Sequence, residues 1–210
     1  EDQFTGWRSE YESDILVSLA SLAGERMFFG DDSSSGVSGD LEAATTVASF
    51  MEGFWGMGHT VSSYSASRRL EVGAPGGGQG GKKSHNAEAE MRRALADRIE
   101  DNLDRLLRQV TDILEEQRGH VLCIAHALET HKTLTGDDVV AIFDHTQGPL
   151  VDGRPYGDPG FVQRLEEYHA SAVQAHREHS KVLMAMPAAP APIWLPQGAA
   201  ATPRPDQLGS

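Results

Sequence analysis

The chain has 210 residues, enough for one sizeable domain or two small ones. Its 18 Lys and Arg against 31 Asp and Glu give a formal charge of -13, which argues against a general nucleic-acid binder, because phosphate contact needs clustered basic residues. A single cysteine, Cys123, rules out an internal disulfide framework and suits a reducing compartment, and no apolar run reaches the roughly 18–20 residues that a bilayer crossing needs.

Hydrophobic periodicity is helical from end to end and predicts an all-α fold; short alternating stretches such as "HTVSSYSA" are weak strand signals. The first helix is expected from about Glu10 to Phe28. Ile15, Leu16, Leu19, Leu22, Ala23 and Met27 form a wide apolar face, and Gly30 is its stop. The loop "GDDSSSGVSG" leads to a second helix from about Asp40 to Trp55, where Leu41, Ala44, Ala48, Met51 and Trp55 share a stripe. Residues 70–86, "LEVGAPGGGQGGKKSHN", read as a flexible glycine-rich loop.

A long helix is expected from about Ala87 to Gln117. Ile99, Leu103, Leu106, Val110 and Ile113 step by four, three, four and three, a seam suited to packing on other helices. Gly119 breaks it, and a shorter helix runs from about His120 to Thr130. There Cys123 lies in the apolar pattern "HVLCIAHAL" and reads as a small buried hydrophobe. Thr135 caps the next helix, with Asp137 and Asp138 suited to its positive start. Residues 149–157 form a turn-rich connector, and Asp158-Pro159 opens a last helix to about Met184. Residues 187–210 are Pro/Ala-rich and read as disordered.

Several motifs invite chemistry. Gly76, Gly81 and Lys82 satisfy G-x-x-x-x-G-K, but Lys83 stands where Ser or Thr must reach magnesium and no apolar strand precedes, so a linker is the better reading. His169, His176 and His179 can share a face of the last helix, as zinc ligands or, more simply, as a solvated stripe. His126 and His131 read as structural. Neither H-E-x-x-H nor G-x-S-x-G occurs, so no self-contained metallo- or serine hydrolase is visible. Asp40, taken alone, is an N-cap at a positive helix start.

Leu19 to Gly58, "LASLAGERMFFGDDSSSGVSGDLEAATTVASFMEGFWGMG", changes that balance. Gly24, Glu25, Arg26 and Gly30 stand near a helix end of the form L-x-G-G-R-x-A-E-E. Ser35 to Leu41 stand where a T-G-A-S-N-D-[IL] loop belongs, and Ala44, Thr45, Ala48, Met51, Trp55, Gly56 and Met57 match an A-T, Met and [WY]-G-M helix. This string resembles the peptidase domain of FtsH-type ATP-dependent zinc metalloproteases. The likeness continues more weakly through Ile99–Leu114 and "ALETHKTLTGDDVVAIF", and it spans about Ile15 to Phe143. Gly39 in place of the usual Asn, and Glu25-Arg26, depart from the pattern.

The resemblance implies that Asp40 is the third protein ligand of a catalytic zinc. The Ser/Gly loop would bring it there. Two imidazoles and the general base would come from an H-E-x-x-H that the family carries before the first helix, so no catalytic residue lies in this chain. The chain begins at Glu1 without Met, and the expectation is a piece of a longer protein, inactive alone. Residues 1–148 would be the peptidase segment, 149–186 a connector with an extra helix, and 187–210 the tail. The parent would degrade unfolded or membrane proteins as a hexamer at the cytoplasmic face of a membrane. ATP and magnesium would act only through an ATPase domain outside this chain, and the fragment itself would be soluble. The alternative is a non-catalytic helical adaptor or assembly module derived from such a protease.

Overall fold

The computed structural model describes residues 6–30, 32–59, 63–64 and 81–192. Their regular structure is all-α, as the periodicity predicts: seven helices, one 3₁₀ turn and an isolated antiparallel bridge between Gln147 and Asp152. The chain divides into two compact units, Glu1–Glu116 and Gln117–Ser210.

The first unit holds α1 (Arg8–Phe29), the 3₁₀ turn Ser35–Val37, α2 (Ser38–Gly53) and α3 (Gly81–Glu116). Glu10 starts α1 by accepting the Trp7 N–H at 2.6 Å, and Gly30 stops it at a φ of 71°, a conformation that costs an L side chain but not glycine. Ile15, Leu19 and Ala23 of α1, Ala44, Ala48 and Met51 of α2, and Leu106 and Val110 of α3 form one buried cluster. The two alanines on one α2 row let neighbouring helices come close. Arg105 of α3 bonds Glu12 of α1 at 2.6 Å at the rim. Glu52 is 2% exposed, and Arg98 Nε stands 3.9 Å from its carboxylate.

The second unit holds α4 (Arg118–His131), α5 (Gly136–Asp144), the single turn α6 (Gly153–Tyr156) and α7 (Pro159–Arg177). Thr135 caps α5 as the sequence predicts, its Oγ accepting the Asp138 N–H. Asp158 caps α7 with Pro159 behind it. Arg118 grips Glu166 with two parallel bonds, 2.7 and 2.9 Å, tying α4 to α7.

Several boundaries differ from expectation. α2 starts at Ser38, two residues earlier. α3 already starts at Gly81, inside the glycine-rich stretch, the rest of which lies outside the described residues, as does most of the G-x-x-x-x-G-K run. α7 ends seven residues early, at Arg177 instead of Met184. His179 turns left-handed (φ 50°) while its N–H reaches His176 O at 3.1 Å and that of Ser180 reaches Ala175 O at 2.9 Å. That pair of bonds closes the helix, so the apolar run at Val182–Met184 cannot continue it. No helix of the described residues is long and apolar enough to cross a membrane.

Candidate metal-ligand loop

Near the end of α1, Glu25 turns its carboxylate on the following loop. Oε2 accepts the Ser34 N–H at 2.7 Å and Oε1 accepts the Ser34 hydroxyl at 2.6 Å. The same Ser34 Oγ accepts the Gly36 N–H at 3.0 Å, which starts the 3₁₀ turn. Val37 ends that turn, is 8% exposed, and occupies the N-cap position of α2. Glu25, Ser34 and Val37 therefore tie the end of α1 to the head of α2.

Asp40 is the third residue of α2. The N-cap reading is corrected here: Val37 sits at the cap, and a valine side chain cannot accept a backbone N–H. Asp40 lies one turn before Ala44 and two before Ala48, so the row that packs into the core runs out into solvent at its carboxylate. Among the described residues that carboxylate is exposed and takes part in no recorded hydrogen bond or ion pair. A shallow groove lined by Thr45, Ser49 and Phe50 runs along α2, but helical rotation of about 100° per residue turns Thr45 and Ser49 to the far side from Asp40.

An uncommitted anionic oxygen fits one coordination position of a zinc ion. It does not make a site alone, since among the described residues no three His, Cys, Asp or Glu side chains converge. The histidine stripe does not supply one. His169 and His176 ride on α7, seven residues apart, but His179 stands beyond the helix end in a left-handed turn.

The remaining titratable candidates are structural. Cys123 is 1% exposed, its thiol lies 3.5 Å from the Tyr156 carbonyl, and burial pushes its pKa up to about 11, far from a reactive thiolate. His126 is 4% exposed, with Nδ1 3.2 Å from the Tyr156 hydroxyl and Nε2 2.9 Å from the Pro187 carbonyl. Burial, and secondarily Cys123, raise the Tyr156 pKa to about 12, so it stays a neutral hydroxyl. Sequence reasoning assigned no role to Glu25. Its partner is nine residues away across a loop, and no local spacing announces that contact.

The family model for peptidase family M41 matches residues 1–142. ATP-dependent zinc metalloprotease FtsH 2 of Symbiobacterium thermophilum is 32% identical over 139 residues, 66% of this chain and 22% of that protein. ATP-dependent zinc metalloprotease FtsH of Neorickettsia risticii is 27% identical over 156 residues, 74% of this chain and 22% of that protein. ATP-dependent zinc metalloprotease FtsH 1 of Thermomicrobium roseum is 26% identical over 208 residues, 95% of this chain and 29% of that protein. The chain thus spans less than a third of the length of these relatives. No solved structure matches.

Proposed function

Because the chain belongs to peptidase family M41 as an FtsH-type peptidase-domain fragment, we propose that it supplies Asp40 as the third protein ligand of a catalytic zinc in an ATP-dependent metalloendopeptidase. The observation that carries this is the state of Asp40. It is held at a fixed helix start, yet its carboxylate caps nothing and pairs with nothing among the described residues.

In this reading residues 1–148 are the peptidase segment, and the two imidazoles and the general base lie in an H-E-x-x-H outside this chain. A zinc ion so held supplies an acidified water and a Lewis acid for the peptide carbonyl. What this chain contributes is orientation. Glu25 holds Ser34, Ser34 starts the turn, and buried Val37 sets the helix start from which Asp40 projects. The substrates are unfolded or membrane polypeptides, the assembly is a hexamer at the cytoplasmic face of a membrane, and ATP with magnesium acts in a separate ATPase domain. The chain alone is inactive.

The test is Asp40→Ala in a longer protein that contains H-E-x-x-H. Loss of zinc and of proteolysis with an unchanged fold supports the assignment. Zinc content and proteolysis that both survive would sink it. A fall in helix stability alone, of about 0.3–1 kcal/mol, would reduce Asp40 to an acid at a positive helix end. A second reading, a non-catalytic assembly module, draws on the second unit, whose α6 and α7 lie beyond the residues that the family model matches. An H-E-x-x-H in the coding sequence upstream of Glu1 discriminates against it.

A further inference from the structure

After α7 closes at His179, residues 181–192 run with no helix or strand, yet they are not detached. Met186 lines a cavity of about 180 Å³ together with Leu122, Leu165, Tyr168 and Ala172 of α4 and α7. The next residue, Pro187, places its carbonyl 2.9 Å from His126 Nε2. A carbonyl only accepts, so Nε2 carries a proton toward it, and Nδ1 pairs with the Tyr156 hydroxyl 3.2 Å away. The ring is further fixed edge-on against Phe161, with centroids 5.1 Å apart. The unit therefore holds one buried, oriented N–H donor at the edge of a largely apolar slot, aimed at the carbonyl of a proline that has no N–H of its own.

We propose that the groove between α4 and α7 is a binding site for an extended polypeptide in which a large apolar side chain precedes a proline, and that residues 181–192 are its resident occupant. Their own Met-Pro pair defines the chemistry: Met186, 37% exposed, at the mouth of the slot and the proline carbonyl on His126. X-Pro pairs favour the extended backbone that such a slot accepts. The hold is slight. Val182, Leu183 and Met184 are 38%, 96% and 44% exposed, and the cavity beside Met186 leaves room for a bulkier side chain. A better-fitting segment of the same chemistry displaces the strap.

The experiment uses the full chain carrying Met186→Asp, which unseats the strap, and a fluorescent peptide with the sequence of residues 181–192. The expected result is binding at least about tenfold tighter to the variant than to the unaltered chain, where the tethered strap competes at high effective concentration. A peptide with Met186→Phe binds more tightly still, and a scrambled peptide does not bind. Adding Ala172→Glu to the chain puts a charge in the slot without touching the buried histidine, and abolishes binding while the helical circular dichroism is retained. Equal binding to both chains, or binding indifferent to Ala172→Glu or to scrambling, overturns the proposal. So does a concentration-dependent dimer of the unaltered chain without peptide binding, which would make the occupant a second copy.

Discussion

Asp40 and Asp138 occupy the same position in their helices, third residue of the first turn, and meet opposite fates. Asp138 is fully buried: its Oδ2 accepts the Thr135 N–H and hydroxyl at 2.9 and 2.7 Å, and its Oδ1 accepts the Leu150 and Val151 N–H groups at 2.7 and 3.2 Å. Asp40 is exposed and has no recorded partner among the described residues. The difference lies three residues upstream. Thr135 can share a reciprocal capping box with its aspartate, whereas Val37 has nothing to offer one. A hydroxyl at the cap turns an acid into scaffold, and an aliphatic cap leaves the acid available for other chemistry.

Asp138→Asn gives the largest expected effect. The amide presents an NH₂ to donors that need an acceptor, leaving two or more buried N–H or O–H groups unsatisfied and costing about 3 kcal/mol in urea unfolding of the second unit. A loss below about 1 kcal/mol would mean that the comparison between the two aspartates is wrong.

Gly153→Ala comes next. An added Cβ would lie 1.7 Å from the Ala141 carbonyl oxygen, in the turn whose Gly153 N–H bonds Thr146 O at 2.7 Å, so a loss of about 2–3 kcal/mol is expected in the same assay.

Acid sharpens the contrast. Burial alone would raise the Asp138 pKa, but hydrogen bonds from Leu150, Thr135 and Val151 outweigh it and hold it below the ordinary carboxylate range. Its contribution is present above the unfolded carboxylate pKa, near 3.9, and is lost as pH falls through the lower folded value. Asp138→Asn should flatten that acid limb of the second unit's stability profile.

Smaller effects belong to the first unit. Glu25→Ala frees Ser34 at an exposed site and should cost about 1 kcal/mol or less of stability, while weakening zinc binding of the longer protein by about tenfold. Asp40→Asn should move stability by no more than about 0.5 kcal/mol yet remove the metal.

Much of this was legible in local pattern. The four-three apolar seams mark Ile15, Leu19, Ala44, Ala48, Leu106 and Val110 as packing faces of their helices, and the structure joins those faces in one core. Gly30, Thr135 and Asp158 mark their helix boundaries because capping is a contact within a few residues. The resemblance singles out Asp40 through an ordered string of small residues, acid and W-G-M, whereas its local position suggests a cap that the structure assigns to Val37. The division drawn at residue 148 follows that resemblance, and the division after Glu116 follows packing.

Contacts across loops stayed hidden in the amino-acid order. Glu25 on Ser34, Asp138 on Leu150 and His126 on Pro187 join residues 9, 12 and 61 positions apart. Periodicity and caps are short-range and survive as patterns in the chain. The Thr135 cap readies Asp138 locally, but which distant donor or acceptor a buried group meets is set by the way the helices pack, and that packing brings Leu150 and Val151 to Asp138 and Pro187 to a histidine of α4.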